Sequence, residues 1–406
     1  MTEHETSVLS SSSSSSSSRN EKGETSDDVV YLNNAGQSRL NKHVQDAGVA
    51  AVNRQAWEMN ADQDQRLIRQ LYARIIQADE SDIAFMPSTA FAVSLVARNI
   101  EKHAKKSGRI LLLQDQFSSA VYPWQDLCDS SNGNMTLDIV PYPDTDENSW
   151  TQAVLDRLDD GVIAACLPPL HWSDGVLLDL STISDACRER GIWLIVDATQ
   201  AVGAMPCTIP NIRPTFMACS DHKWLRSAPG VSLCYISPEV RSLWQPLDSH
   251  GRSRDLAGGS NWDAAQDTMG PKGYPEKFFD DARKFDSGGK PNPILLPMLR
   301  ASLEHLVQLD FAQVQEQLRQ LMMPLVDWAL ANEFAVTQRD RAYHIVGIRP
   351  LKLSTKEMIK VASDLQKEGI FVAVRCGAFR ISPYIDTSED DIQKLIDALS
   401  VHTNTY

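Results

Sequence analysis

The stretch Ile192–Gly203 reads IWLIVDATQAVG, and a second stretch, MACSDHKW, occupies Met217–Trp224. In the first, an apolar run from Ile192 to Val196 stops at an acid, Asp197. A short run that is apolar at every position suits a strand covered on both faces, as in a parallel sheet. Asp197 then lies at the carboxyl end of that strand, where open parallel sheets gather their ligand sites. In the second stretch the apolar run Phe216–Cys219 stops at Ser220, with His222 and Lys223 just beyond. The interval between Asp197 and Lys223 leaves room for one crossover to a neighbouring parallel strand. The pattern therefore predicts that both polar groups emerge at the same edge of one sheet.

Working outward, Ile83–Met86, Ile110–Leu113, Val162–Leu167 and Val231–Ile236 read as further buried strands. Helical periodicity separates them, at Ala90–His103, Trp150–Leu158 and Leu180–Arg190, the last ended by Gly191 as a C-terminal cap. This alternation predicts an α/β fold with a mainly parallel sheet. A loop-rich stretch with the landmarks GGSNW and GPKGYP follows from Asp248 to about Pro293. Loops that long in a compact protein are usually functional. Helices are then expected at Leu296–Leu309, Phe311–Glu333, Thr355–Lys367 and Glu389–Ser400, with strands at Tyr343–Ile348, Phe371–Arg375 and Phe379–Ser382. These make a smaller α+β domain. The expected organisation is a Ser-rich tail over 1–28, a large domain over 29–293 and a small C-terminal domain over 294–406.

The chain has 406 residues and a net charge of -14, without a cluster of cations. Neutralising phosphates takes clustered Lys and Arg, so nucleic acid is not an expected partner. No apolar run approaches the length of a membrane span, so no membrane partner is expected either. The serine run Ser10–Ser18 lacks apolar residues and predicts a disordered tail. Glu3 and Glu5 make it unlike a mitochondrial leader, and without an apolar h-region it is unlike a secretory one. The cysteines are odd in number and lack a C-x-x-C pair. That suits free thiols in a reducing compartment, and the cytoplasm is the expected location. Metal-ligand spacings are absent, and no metal is expected.

Asp197 and Lys223 carry the chemistry. A carboxylate beside a pyridine nitrogen keeps that nitrogen protonated, which makes pyridoxal phosphate (PLP) an electron sink. A buried lysine near a cationic ring loses its proton more easily and becomes a nucleophile suited to a Schiff base. Gln200 can donate to the cofactor's phenolate oxygen, and Ser220 and His222 to its phosphate. Each residue has a plainer use: Asp197 as a turn cap, Lys223 as a solvated side chain, His222 as packing. The combination in this order is the signal.

DxxQ followed by S-x-HK resembles the class V aminotransferase family, which includes cysteine desulfurases, kynureninase and isopenicillin N epimerase. The resemblance runs from Tyr31 to the C-terminus. It implies the fold-type I PLP-dependent transferase fold, with a seven-stranded sheet in the large domain, and a homodimer with interfacial sites. It also implies roles for other segments. YLNNAG (Tyr31–Gly36) reaches the substrate pocket, with Asn34 as a substrate-binding residue. MPSTAFA places Ser88, Thr89 and Ala90 at a strand-to-helix turn, a phosphate cradle or simply an N-cap. Phe117 stacks on the cofactor ring where desulfurases have histidine; its plainer role is core. In HWSDG, Asp174 stands nearest the family's ring-side asparagine and Trp172 shapes the substrate pocket. ARKFDSGGKPN (Ala282–Asn292) is similar to the segment that crosses to the partner's phosphate, with Gly289 and Lys290 where a threonine is usual. In VRCGAFRISPYIDT, Arg380 resembles the arginine that grips the substrate α-carboxylate. Many desulfurases place a catalytic cysteine where Arg380 itself stands, so no thiol is expected there.

The resemblance implies a PLP enzyme acting on a small amino-acid substrate. The leading expectation is a lyase that cleaves a C–S or C–C bond in the substrate's side chain. The alternatives are an aminotransferase or epimerase, and a scaffold that has lost catalysis.

Overall fold

The computed structural model describes residues 29–104, 107–143, 149–255, 277–289 and 292–403. The expected Ser-rich tail, the GGSNW and GPKGYP landmarks and Lys290 lie outside the described residues.

Seven strands form one sheet: β2 (Ile83–Met86), β3 (Gly108–Leu113), β4 (Met135–Val140), β5 (Val162–Leu167), β6 (Trp193–Asp197), β7 (Phe216–Ser220) and β8 (Ser232–Ile236), in the order β2-β8-β7-β6-β5-β3-β4. Only β8 runs against the rest, antiparallel to both β2 and β7. β6 and β7 are parallel neighbours, with Asp197 opposite Ala218. Side chains alternate across the sheet. Leu111, Leu167, Val196 and Met217 enter one apolar cluster, while Ile110, Cys166, Ile195 and Ala218 enter another on the opposite face. This double burial is why β5 and Phe216–Cys219 of β7 read as unbroken apolar runs, and why β8 departs from one only at the buried Ser232. The edge strand β4 carries Thr136 and Asp138 and has mixed burial, so it gave no such run.

The smaller sheet is antiparallel, in the order β12 (Ala373–Arg375), β13 (Ala378–Ile381), β10 (Val346–Pro350), β9 (Phe334–Ala335). Beside it, β1 (Val30–Tyr31) pairs in parallel with β11 (Ile370–Phe371). A third apolar cluster lies under these strands. The helix Phe311–Ala331 serves two cores: Val314 and Leu318 pack with the large sheet, Met322 and Leu325 with the small one. The preceding helix, Leu295–Leu306, packs Leu299 and Leu303 on the large-sheet side. The apolar side chains thus change sides within the long helix.

Two connections bind the parts together near the edge where β6 and β7 end. From β1 the chain passes Asn33, bridged to Ser382, and reaches Ser38, whose N–H donates to the His222 carbonyl at 3.0 Å. The second runs behind the lysine turn, where the Tyr384 hydroxyl, from beyond β13, donates to the Gly203 carbonyl. There Gly203 has φ +95°, and a Cβ would lie 2.4 Å from the Trp224 carbonyl oxygen, so only glycine fits.

Candidate active site

At the carboxyl ends of the parallel strands lies a cavity of about 390 Å³. Asp197, Ser220, His222 and Lys223 line it from β6 and β7, Ser88, Thr89 and Ala90 from the turn after β2, and Phe117, Trp172 and Arg380 from other segments. The sequence separates these residues widely; the strand order brings them together.

Asp197 is buried at the end of β6, and its Oδ1 accepts the Thr199 N–H at 3.1 Å. The turn-capping use and the cavity position coexist in one carboxylate. Thr199 Oγ1 accepts the Ser220 N–H at 3.3 Å, and Thr89 Oγ1 lies 2.8 Å from Ser220 Oγ. Three hydroxyl residues thereby connect the ends of β6 and β7 with the start of the helix Thr89–His103. Ser88 caps that helix, its Oγ accepting the Phe91 N–H at 3.1 Å. The first-turn N–H groups of a long helix, with its dipole, form an electropositive anion site.

Lys223 is only 6 % exposed, in the turn beyond β7. Burial pushes its amine down to about 8; Asp197 opposes this and Arg380 adds to it. Its Nζ lies 4.7 Å from the centre of the Phe117 ring. Phe117 meets Trp172 edge to face at 5.4 Å, and the Trp172 Nε1–H donates to the Asp115 carbonyl at 2.7 Å. Phe117 is thus a cavity wall at 37 % exposure, not core. His222 is half-buried, with Nδ1 3.5 Å from Asp221 Oδ1. Asp221 Oδ2 in turn accepts the Val231 N–H at 2.8 Å, which fixes the turn that aims His222.

Arg380 is 2 % exposed, and no acid among the described residues pairs with it. It donates to the Trp172 carbonyl at 3.3 Å and to Asn33 Oδ1 at 3.2 Å, while its Nε has no partner. Burial and then Arg375 push its guanidinium down to about 9. A cation that buried ordinarily has a counter-ion, so this one is poised for an anion from the cavity.

Three expected site residues do not line the cavity. Asp174 turns back, its Oδ1 accepting the Val176 N–H at 3.1 Å, so that the carboxylate closes its own turn. Asn34 donates to the Ser382 carbonyl at 3.0 Å; its neighbour Asn33 reaches Arg380 instead. Gln200 lies behind the site, donating to the Ala35 carbonyl at 3.0 Å and accepting the Trp224 Nε1–H at 2.7 Å. Sequence reasoning missed Thr199, Ser38 and Asn33. Thr199 stands inside DATQ, and its hydroxyl was the available signal; Asn33 stands inside YLNNAG beside the residue chosen, and Ser38 gave no signal.

The family model for class-V aminotransferases matches residues 30–395. The chain belongs to that family. This class-V protein is a PLP-dependent enzyme. It is 22% identical to an uncharacterized aminotransferase, YcbU, of Bacillus subtilis over 82% of this chain and 83% of the relative. Its fold is similar to the cysteine desulfurase of Thermococcus onnurineus, with a TM-score of 0.78 and 18% identity over 94% of this chain and 96% of that one. It is also similar to the cystine C–S lyase C-DES in complex with its product, cysteine persulfide, with a TM-score of 0.79 and 18% identity over 92% of this chain and 97% of that one. The seven-stranded, mainly parallel sheet is the one expected.

The residues of this class-V enzyme fit the cofactor. The cavity offers an acid, a lysine whose proton is loosely held, and an anion site at a helix start beside three hydroxyls.

Proposed function

We propose that this enzyme is a lyase that removes a side-chain substituent from an amino acid by breaking a C–S or C–C bond. The observation that carries the reading is Arg380, a buried cation without an acid partner that faces the same cavity as Lys223. A planar guanidinium pairs with a carboxylate through two parallel hydrogen bonds and so fixes its orientation. Arg380 therefore takes the substrate's α-carboxylate, and Asn33 and the Trp172 carbonyl hold the guanidinium for it.

PLP, when bound, supplies a sink for negative charge at the substrate's α-carbon. Lys223 would carry the cofactor and move the proton at that carbon; its burial already loosens the proton of its amine. Asp197 would meet the pyridine nitrogen and keep it protonated. Ser88, Thr89, Ala90, Ser220 and His222 would hold the phosphate. Phe117 would cover the ring and, with Trp172, keep water from it. Phe117 cannot exchange protons, so Lys223 is left as the proton carrier.

Two further points support a lyase without a thiol nucleophile. Cys376 lies in the turn between β12 and β13, not among the residues lining the cavity. One fold neighbour is a C–S lyase by name. An aminotransferase or epimerase uses the same residues, and the products separate them. Incubation of the PLP-loaded enzyme with cysteine conjugates should release pyruvate or alanine. Turnover only with an added keto acid, or α-proton exchange without cleavage, would replace the lyase reading.

We also propose that the enzyme works as a homodimer in the cytoplasm. The segment 282–289 does not line the cavity of its own protomer, which suits a segment that serves a second copy. Sedimentation of the purified protein at the monomer mass would remove the dimer.

A further inference from the structure

The hairpin of β12 and β13 presents two arginines, not one. Its turn is Cys376–Gly377, with φ +47° and +72°, as tight two-residue hairpin turns require. The register pairs Arg375 with Ala378 and Ala373 with Arg380. Opposed residues share a face, and so do residues two apart along a strand. Arg375 and Arg380 therefore project from one face as diagonal neighbours. Ala373, Ala378 and, on β10, Gly347 opposite Arg380 share that face, and Arg349 stands two residues beyond Gly347 with its guanidinium donating to the Cys376 carbonyl at 2.9 Å.

Their surroundings differ. Arg380 is buried at the inner end, whereas Arg375 is exposed at the outer end, and both line the cavity. Arg375 donates to the Val374 carbonyl at 2.8 Å and forms no ion pair among the described residues. Both arginines lower the Lys223 amine, and Arg375 lowers Arg380, so the three cations feel one another. Asp197 is the only acid lining the cavity among the described residues. Once the α-carboxylate has met Arg380 and Asp197 has met the cofactor, one cation at the rim is left over.

We propose that Arg375 selects amino acids whose side chain ends in a second anion, a carboxylate or its equivalent. This rests on the amino-acid reading given above. The side chain extends from the α-carbon towards the rim, and Arg375 meets its far end while Arg380 holds the near one.

The test titrates PLP-loaded enzyme with isosteric pairs, following cofactor absorbance and heat of binding. The pairs are S-carboxymethyl-L-cysteine against S-carbamoylmethyl-L-cysteine, and L-glutamate against L-glutamine. The acid of each pair should bind about tenfold more tightly or better. R375Q should remove that preference by weakening the acid alone, R375K should restore part of it, and R375E should reverse it. Equal binding of acid and amide by the wild type, or equal weakening of both by R375Q, overturns the selection by Arg375. If no amino acid perturbs the cofactor or releases heat, the amino-acid reading itself fails, a result distinct from the other two.

Discussion

Ser38 Oγ donates to the backbone carbonyl of Lys223 at 2.5 Å, while the Ser38 N–H donates to the carbonyl of His222. A segment rooted in the small sheet thus grips the peptide that carries the reactive lysine. The Lys223 carbonyl accepts a second bond, from the Arg226 N–H at 3.0 Å. The lysine's backbone is held from both sides, and its side chain is left to the cavity.

Ser38→Ala should therefore cost stability without removing the lysine. A buried carbonyl that keeps one of two donors loses about 1 kcal/mol. The denaturation midpoint should fall accordingly, and the cofactor should bind with less order, read as a broader absorbance band. An unchanged midpoint and band would show that the Arg226 N–H alone suffices.

The pH dependence of cofactor uptake follows from the Lys223 amine. Its value falls from 10.5 in an open chain to about 8 in the fold. The free amine is the nucleophile, so covalent uptake of PLP by the apoenzyme, trapped with borohydride, should rise with pH through a midpoint near 8. Stability has the matching sign. Between about 8 and 10.5 the unfolded chain binds the proton that the folded one has lost, so this group's contribution to stability rises with pH. Its destabilising effect is fully present below about 8. A midpoint near 10.5, or a pyridoxyl tag on a different residue, would remove Lys223 from the role.

Much of this was legible because burial on both faces leaves a simple trace. β5, β6 and β7 read as apolar runs, and Asp197, Ser220 and Lys223 follow at the ends of β6 and β7. β4 was not legible, since an edge strand tolerates Thr136 and Asp138. The helices Lys42–Asn53 and Ala61–Ile76 were also missed; each buries only a stripe and keeps a largely polar surface. At the site, strand ends were readable and loop contacts were not. Asp174 and Asn34 differ from expectation by local hydrogen bonding that no spacing rule encodes.

Arg226, three residues past Lys223, tests the coupling between the large sheet and the segment that follows β13. It has φ +51°, is 1 % exposed, and pairs with Asp386, beyond β13, at 2.8 Å. Asp386→Ala would leave a buried cation alone. A fully buried pair broken this way loses about 3–5 kcal/mol, and water at the partly exposed Asp386 reduces this to about 2 kcal/mol. Chemical denaturation measures it. Replacing both partners with methionine and leucine should recover most of the loss; a double variant as unstable as the single one would show that the ion pair is not the link.

Arg380 sets substrate binding against stability. Its burial without an acid pushes the guanidinium down to about 9, so at neutral pH its charge disfavours folding. Arg380→Met removes that charge and keeps much of the packing. The apoenzyme should then be as stable as the wild type or more so, by up to about 1 kcal/mol. Substrate binding should weaken by about 2–5 kcal/mol, because a desolvated carboxylate would lack its partner. Arg380→Lys keeps a cation but loses the fork and should fall between. Thermal melts of the apoenzyme and KM of the loaded enzyme read the two effects separately. Loss of stability together with an unchanged KM would make Arg380 a structural cation and move the α-carboxylate to Arg375.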